Sequence, residues 1–525
     1  MLLLLRNLKL VKAQNKVLSS LIKNNSFSTT KSVKNVIQLH NERLMKNTLL
    51  NEIKSSLEDD GGTFLVNDPS TQSPLAKVKE MGKKEGEDKI RESYDLFHSP
   101  SWKELGIKQR HDKLRQLYDL MIKNEKELAT IITLENGKTF NESIGEVRYA
   151  ASFIEWFSEQ TLRIDGSVIN SENKDSKYLV VKEPVGVVGI ITPWNFPLAM
   201  ITRKFGAAFA AGCTTVIKPA SETPLTCLAF ANLLKKVEIP EASFSVITTH
   251  ESTKEIGKLL CQSDLISKIS FTGSTMVGKL LLRDSSDTVK KVSMELGGNA
   301  PFIVMENSDI GKAVQCLVQG KFRNSGQTCV CPNRVYIQDT IYDAFLNKLT
   351  KKVEELKVGN GFKEGVTVGP LINEKSIIKI EKLVKNSIEL GAKIVCGGNR
   401  VNDNDVEGYF YQPTIIKDAN PKMDISCNEI FGPVLVCYKF SSLKEAIELA
   451  NDSEYGLAAY AFTNDLKEAF ELANKIQSGM VAINAGSVSS TLAPFGGVKH
   501  SGFGREGSKY GLDDYLNIKT VNLNY

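Results

Sequence analysis

At 525 residues the chain is too long for one ordinary hydrophobic core, so two or three packed domains with clefts between them are expected. Its 42% hydrophobic and 24% charged residues exclude a disordered chain. The 66 basic and 61 acidic residues nearly cancel, which argues against a nucleic-acid partner.

The N-terminus stands apart from the rest. Arg6, Lys9, Lys12, Lys16, Lys23, Lys31 and Lys34 all precede the first acidic residue, Glu42. Leucines 2 to 5 with Leu8, Leu10, Val17, Leu18, Leu21 and Ile22 would line one side of a helix if the segment took that form, which is the expectation, and a polar stretch from Ser26 to Ser32 follows. The pattern predicts a mitochondrial transit peptide over residues 1–35 and a matrix location, with the cytoplasm as the alternative. A secretory signal is disfavoured because Arg6 breaks the apolar run. No later stretch approaches the about 18 apolar residues of a membrane span.

From Asp88 to Thr161, Leu114, Leu117 and Met121, then Leu128, Ile131 and Ile132, recur at helical spacing among charged residues, which predicts an amphipathic helix layer. Short Val- and Ile-rich runs then alternate with helical segments. They are VVGII (187–191), a helix over KFGAAFAAG (204–212), TTVIK (214–218), a helix from Pro224 to Lys236, SVIT (245–248), KISFTG (268–273) and a further helix. Such alternation predicts a parallel sheet covered on both faces. A second series runs from Ala300 to about Ala482 through FIVM (302–305), NRVYIQ (333–338), AKIVC (392–396) and PVLVCYKF (433–440). The fold class is therefore α/β, with two α/β domains.

Nine scattered cysteines and five histidines, with neither an HExxH nor paired CxxC motifs, point to a reducing compartment and to no metal site. In KISFTGSTMVG, Gly273 and Ser274 follow a strand, and Gly278 lies inside the helix that begins there. Glycine lets a backbone approach closely, and the amides and dipole of a new helix favour a pyrophosphate; the bland reading is an ordinary strand-to-helix turn. In KFRNSGQTCVCPNRV, Cys329 is flanked by Lys321, Arg323 and Arg334, a setting that favours a thiolate nucleophile. Cys331 could be the reactive thiol instead, or both could be small buried hydrophobes. Glu295, followed by Gly297 and Gly298, is a candidate general base. Asn195 sits in the Pro-stiffened loop ITPWNFP (191–197), where its amide could stabilise an oxyanion.

Taken together, TPWNFP, KPAS (218–221), FTGSTMVG, MELGGNAP, GQTC, EIFGP (429–433) and PFGGVKHSGFGRE (494–506) resemble the aldehyde dehydrogenase superfamily in order and spacing, from roughly residue 60 to the C-terminus. The resemblance implies Cys329 as nucleophile, Glu295 as general base, and Asn195 with the Cys329 backbone amide as oxyanion hole. It further implies a nicotinamide cofactor, NAD or NADP, held by Trp194, Lys218, Ser221, Gly273, Ser274, Gly278, Glu429 and Phe431. The implied architecture has a Rossmann-like cofactor domain (36–160 and 186–294), a catalytic domain (295–498) and a small oligomerisation sheet (161–185 and 512–525), giving a homo-oligomer, a tetramer in the first instance.

MITRKFGAA (200–208), KFRNSGQTCVCPNR (321–334), SVSSTLAPFGG (487–497) and GREGSKYG (504–511) resemble the succinate-semialdehyde dehydrogenases within that superfamily, which implies a step of 4-aminobutyrate degradation. A substrate with a terminal carboxylate gives buried cations a use, and Arg203 and Arg323, helped by Ser489, are the expected contacts. The same resemblance implies a redox disulfide between Cys329 and Cys331. Serine at 221, where NAD-preferring relatives usually carry a glutamate, implies tolerance of NADP. A dehydrogenase of glutarate semialdehyde or another ω-carboxy aldehyde is the nearest rival. A thiol hydrolase or acyltransferase is disfavoured because His500 is the only histidine in a matched motif, and a catalytically silent relative because Cys329, Glu295 and Asn195 are all present.

Overall fold

The computed structural model describes residues 47–54, 62–401 and 407–525, and the predicted transit peptide lies outside them. The helix layer is formed by Lys83–His98, Ile107–Lys123, Glu125–Asn136 and Phe140–Thr161. Leu114, Leu117, Met121, Leu128, Ile131 and Ile132 are all completely buried, each worth roughly 1.5–3 kcal/mol by removal from water. Gly137, at φ 90°, ends the third helix, and Thr139 with Glu142 forms the capping box of the fourth.

Five strands make a parallel sheet: Val187–Ile191, Thr214–Lys218, Phe244–Val246, Lys268–Thr272 and Lys291–Glu295. Across the sheet they lie in the order fifth, fourth, first, second, third. The winding reverses between Val187–Ile191 and Lys268–Thr272, and the crevice at the carboxyl ends of such a pair is where open α/β sheets take ligands. Pro224 at the first turn and Lys235 and Lys236 in the last set the limits of the helix Pro224–Lys236.

Residues 296–299 carry the chain from Glu295 into a second sheet of seven strands, ordered Lys393–Cys396, Thr414–Lys417, Val434–Phe440, Pro332–Gln338, Ala300–Val304, Ala458–Phe462 and Met480–Ile483. All its pairings are parallel except that of the edge strand Lys393–Cys396. Every residue of Pro332–Gln338 and Ala300–Val304 is buried, as a sheet covered on both faces requires. The segment 296–299 thus joins the carboxyl edge of the first sheet to the amino edge of the second, and loops of both converge there. A third, antiparallel sheet pairs Leu516–Asn524 with Ser176–Pro184 and that strand with Ser167–Asn170. It leaves Val168, Ile169, Ile518, Leu523 and Tyr525 exposed.

A short strand, Gly502–Phe503, closes the edge of the first sheet by pairing with Glu295 and Met294. Gly502 has φ 104°, and a Cβ there would lie 1.9 Å from the Met294 carbonyl oxygen. Gly502→Ala should therefore destabilise the protein by about 1–3 kcal/mol, read as a lower urea midpoint; an unchanged midpoint would show that this edge pairing is dispensable.

Candidate active site

Cys329 lies between the helix Ile310–Phe322 and the strand Pro332–Gln338. Three successive residues before it, Asn324, Ser325 and Gly326, have φ of 48°, 55° and 73°, an uncommon conformation for the first two. Hydrogen bonds hold it in place. Asn324 N–H donates to Glu142 at 2.7 Å, the Ser325 hydroxyl to the Gly369 carbonyl at 2.7 Å, and Ile372 N–H to the Gln327 side chain at 2.9 Å. Close approach does the rest. A Cβ on Gly326 would lie 2.1 Å from the Gly432 carbonyl, and one on Gly298 would lie 2.4 Å from the Cys329 carbonyl. Gly298 therefore admits the protein's own cysteine loop.

The loop bearing Asn195 grips the same turn from the other side. The Asn195 amide donates to the Gln327 carbonyl at 3.0 Å, and the Asn324 amide donates to the Asn195 carbonyl at 2.9 Å. Beneath it, the buried Lys138 ammonium donates to the Asn195 carbonyl at 2.7 Å and to Glu146 at 2.6 Å, and lies 4.0 Å from the centre of the Phe196 ring. Trp194 meets Phe431 edge to face at 5.5 Å, so TPWNFP and EIFGP also touch directly. Phe431 itself is left-handed, with φ 56°.

Glu295 is buried, and neither carboxyl oxygen has a hydrogen-bond partner among the described residues. Burial, with the Glu506 charge added, holds its pKa well above the ordinary carboxylate range, against the pull of Arg203, Lys204 and Arg505. Glu506 is buried too, but ion pairs with Arg203 and Lys204 outweigh the desolvation and keep it below that range. One acid of this cluster is thus held protonated and its neighbour ionised.

Burial pushes the Cys329 thiol up to about 12, although Arg203 pulls it down; Glu429 and Glu295 push it further up. The expectation that flanking cations favour a thiolate is therefore corrected. Lys321 donates to Asn333 at 2.8 Å, and Arg334 is spent on the carbonyls of Asn299, Leu449, Asp452 and Ala450. The cation that acts on the thiol is Arg203, distant in sequence. The implied disulfide is not seen in this structure. Cys329 and Cys331 are both free, and the buried Cys331 thiol donates to the Lys321 carbonyl at 3.3 Å, anchored to the end of the preceding helix.

On the dinucleotide side, Ser274 caps the helix Thr275–Ser285 by accepting from Val277 N–H at 3.4 Å. Gly273 lies against the Phe271 ring, which a Cβ there would approach to 2.4 Å, too close for a side chain. Gly278 serves packing, since a Cβ there would lie 2.4 Å from Leu296. Lys218 ends its strand with the ammonium buried, donating to the Pro219 carbonyl at 3.2 Å, and Ser221 donates to Glu222 at 3.2 Å. Glu429 accepts from Gly298 N–H at 3.1 Å. A cleft of ≈ 550 Å³ joins Ser274 and Thr275 to Glu429 and Tyr455. An eleven-residue helix aimed N-terminus first at this cleft, with a carboxyl group at its far end, suits a ligand carrying phosphates and a ribose. A larger cleft of ≈ 930 Å³, around Tyr336 and Tyr438, is lined by none of the predicted site residues.

Arg203 is 2% exposed; its Nε pairs with Glu506, its guanidinium lies 4.6 Å from the Phe495 ring, and its Nη2 has no hydrogen-bond partner among the described residues. Arg323 is exposed and stacks on Phe196 at 5.3 Å. Burial raises the pKa of the Tyr149 phenol, and the charges of Arg203 and Arg323 pull it down. Ser489 lies half-buried in the loop after Met480–Ile483, its N–H donating to the Ser487 hydroxyl at 3.3 Å.

The model of the aldehyde dehydrogenase family matches residues 57–521. The chain belongs to that family. A mitochondrial succinate-semialdehyde dehydrogenase of Arabidopsis thaliana is 49% identical to this aldehyde dehydrogenase over 464 residues, 88% of this chain and 87% of that one. A glutarate-semialdehyde dehydrogenase of Pseudomonas aeruginosa is 46% identical over 465 residues, 89% and 95% of the two chains. Among solved structures, a succinate-semialdehyde dehydrogenase from Burkholderia pseudomallei superposes with a TM-score of 0.86 at 44% identity, covering 88% of this chain and 95% of that one.

Sequence reasoning did not single out Lys138 and Glu146, which pair beneath Asn195, Lys204 and Glu506, whose charges act on Glu295, or Tyr149, on whose phenol the charges of both arginines act. Lys204 adjoins Arg203 in the matched segment MITRKFGAA, and Glu506 lies in the matched segment GREGSKYG; those two positions were the available signals. Because the resting thiol is protonated, iodoacetamide labelling of Cys329 in the cofactor-free enzyme should accelerate about tenfold per pH unit from pH ~7 to ~10. Mass spectrometry of the Cys329 peptide reads the rate; a plateau below pH ~9 would contradict the assignment.

Proposed function

We propose that this aldehyde dehydrogenase oxidises succinate semialdehyde to succinate with NAD or NADP, in the mitochondrial matrix, through a covalent intermediate on Cys329. The observation that carries the substrate assignment is the buried cation Arg203, which acts on the Cys329 thiol, in a chain 49% identical to a succinate-semialdehyde dehydrogenase. Arg203 has a buried N–H without a partner, and the Arg323 guanidinium faces an aromatic ring rather than an acid. Such groups favour a bidentate carboxylate. Ser489 is assigned to help them on the family resemblance of its segment, SVSSTLAPFGG. The mitochondrial location rests on the basic N-terminal segment and on the matching description of the Arabidopsis relative.

In this reading the thiol first gives its proton to water, and the Cys329 sulfur then bonds to the aldehyde carbon as the carbonyl π bond opens onto its oxygen. The negative charge that develops on oxygen is met by the Asn195 amide and the Cys329 backbone N–H. NAD or NADP, when bound, supplies the hydride acceptor. Trp194, Lys218, Ser221, Gly273, Ser274, Glu429 and Phe431 would hold it, and Gly278 keeps the capping helix packed close. Loss of hydride leaves a thioester on Cys329. Glu295, once deprotonated, takes a proton from a water that attacks this carbonyl, and the carbon–sulfur bond breaks to release the thiolate and the carboxylic acid, which gives its remaining proton to solvent. The exposed apolar residues of the third sheet, Val168, Ile169, Ile518 and Tyr525, support a homo-oligomer, taken as a tetramer from the family resemblance.

Glutarate semialdehyde, one carbon longer with the same carboxylate, is the second reading, favoured by the Pseudomonas relative. Steady-state kinetics with succinate semialdehyde, glutarate semialdehyde and butanal test both. Each charge-assisted contact is worth about 1.5–3 kcal/mol, so Arg323→Ala should lower kcat/KM for succinate semialdehyde about 10- to 150-fold. Butanal, lacking the carboxylate, should be affected far less. Equal losses for both aldehydes would mean that Arg323 supports the loop and reads no substrate.

A further inference from the structure

Residues 136–146 hold the loop that carries Asn195 at successive points. The Asn136 amide donates to the Trp194 carbonyl at 3.0 Å. The Lys138 ammonium donates to the Asn195 carbonyl at 2.7 Å and lies 4.0 Å from the centre of the Phe196 ring. Glu146 accepts from Lys138 at 2.6 Å and, with its other oxygen, from the N–H groups of Leu198 at 2.9 Å and Ala199 at 3.3 Å. Lys138 and Glu146 are 1% and 3% exposed, so each needs the other's charge. That need does not account for the second hydrogen bond of Lys138. The carbonyl it reaches also accepts from the Asn324 amide of the cysteine turn at 2.9 Å, so two donors fix the backbone from which the Asn195 side chain extends. The Phe196 ring is shared in the same way: the Arg323 guanidinium lies 5.3 Å from its centre, and the Arg323 charge acts on Lys138.

We propose that Lys138 is a positioning residue for the reaction, setting the Asn195 amide against the aldehyde oxygen and, through the Phe196 ring, Arg323 against the substrate carboxylate. The proposal rests on the reading of Asn195 as the oxyanion donor and of Arg323 as the carboxylate contact. In this role Lys138 touches neither the reacting atoms nor the cofactor. An oxyanion donor works only where the charge develops, and a misplacement of about 1 Å can cost about 100-fold in rate. A ring that faces two cations gives up both contacts if it turns. One buried lysine thus ties the groups that meet the two ends of the substrate to a single anchor.

The test is single-turnover mixing of the full-length enzyme, in excess over aldehyde and saturated with whichever of NAD and NADP the parent binds more tightly. The parent is compared with Lys138→Met/Glu146→Gln, which leaves the buried pair neutral. Absorbance of reduced cofactor reads the rate, and titration with the same cofactor counts the folded sites and gives the affinity. The double variant should bind cofactor within about twofold of the parent yet react about 10- to 100-fold more slowly with butanal, and more slowly still with succinate semialdehyde. Arg323→Ala made in that background should lower kcat/KM for succinate semialdehyde at least about threefold less than it does in the parent. A rate with butanal within about twofold of the parent overturns the proposal. So does a rate that falls only in proportion to the sites that bind cofactor, the mark of a structural role, and so do losses for Lys138 and Arg323 that multiply independently. If Arg323→Ala in the parent affects both aldehydes equally, the substrate reading falls by itself, and the butanal rate still decides for or against Lys138. Should the double variant fail to fold, Lys138→Met alone gives the same readings, because a buried Glu146 can take up a proton when its partner is lost.

Discussion

The geometry of the site depends on one constraint, the close passage of the cysteine turn between two backbones. Gly326 lies against the Gly432 carbonyl and Gly298 against the carbonyl of Cys329 itself, at separations no side chain could occupy. Once that turn is seated, its carbonyls and amides become the fixed points for everything around it. Asn195 bonds the Gln327 carbonyl, Glu429 bonds Gly298, and Phe431 reaches Trp194. The left-handed backbone of Asn324, Ser325 and Phe431 is the local cost of bringing the carboxyl edge of one sheet against the amino edge of another, and the hydrogen bonds of the turn offset it.

The electrostatics follow from the same enclosure. Burial raises the Cys329 thiol and the Glu295 carboxyl together, so the resting site holds two protons that the proposed chemistry must move. Arg203 is the cation that connects them: it pairs with Glu506, pulls on the thiol and pulls on Glu295. Its remaining unpartnered nitrogen is also the proposed contact for the substrate carboxylate. A single arginine thus links substrate charge to the protonation of both reacting groups. Lys204 shares the load by holding Glu506 from the other side, which keeps that acid ionised and leaves Glu295 as the protonated one.

Much of this was legible in the sequence where local chemistry decides the outcome. The parallel strands could be read as short apolar runs because each is buried on both faces, and the helix Pro224–Lys236 could be bounded from its proline and its terminal lysines. The third sheet had no such signal. Ser167–Asn170 is exposed at every position, and Leu516–Asn524 pairs with a strand far away in the chain, so partnership and not propensity creates it. Charges were misread for a related reason. Lys321 and Arg334 flank Cys329 in sequence but turn to other carbonyls and amides, while Arg203 comes from a distant helix. Adjacency along the chain suggested the disulfide as well, whereas the direction of the Cys331 thiol is set by the end of the helix behind it.

In the proposed mechanism Cys329 carries the substrate as a thioester that only Glu295 releases. Pre-steady-state mixing of Glu295→Gln with succinate semialdehyde and cofactor tests it most directly, by counting reduced cofactor against subunits. The account predicts a burst of about one equivalent followed by near-complete arrest, because acylation proceeds and hydrolysis does not. Loss of the burst in parallel with the steady state would contradict it, and would place Glu295 before the thioester forms.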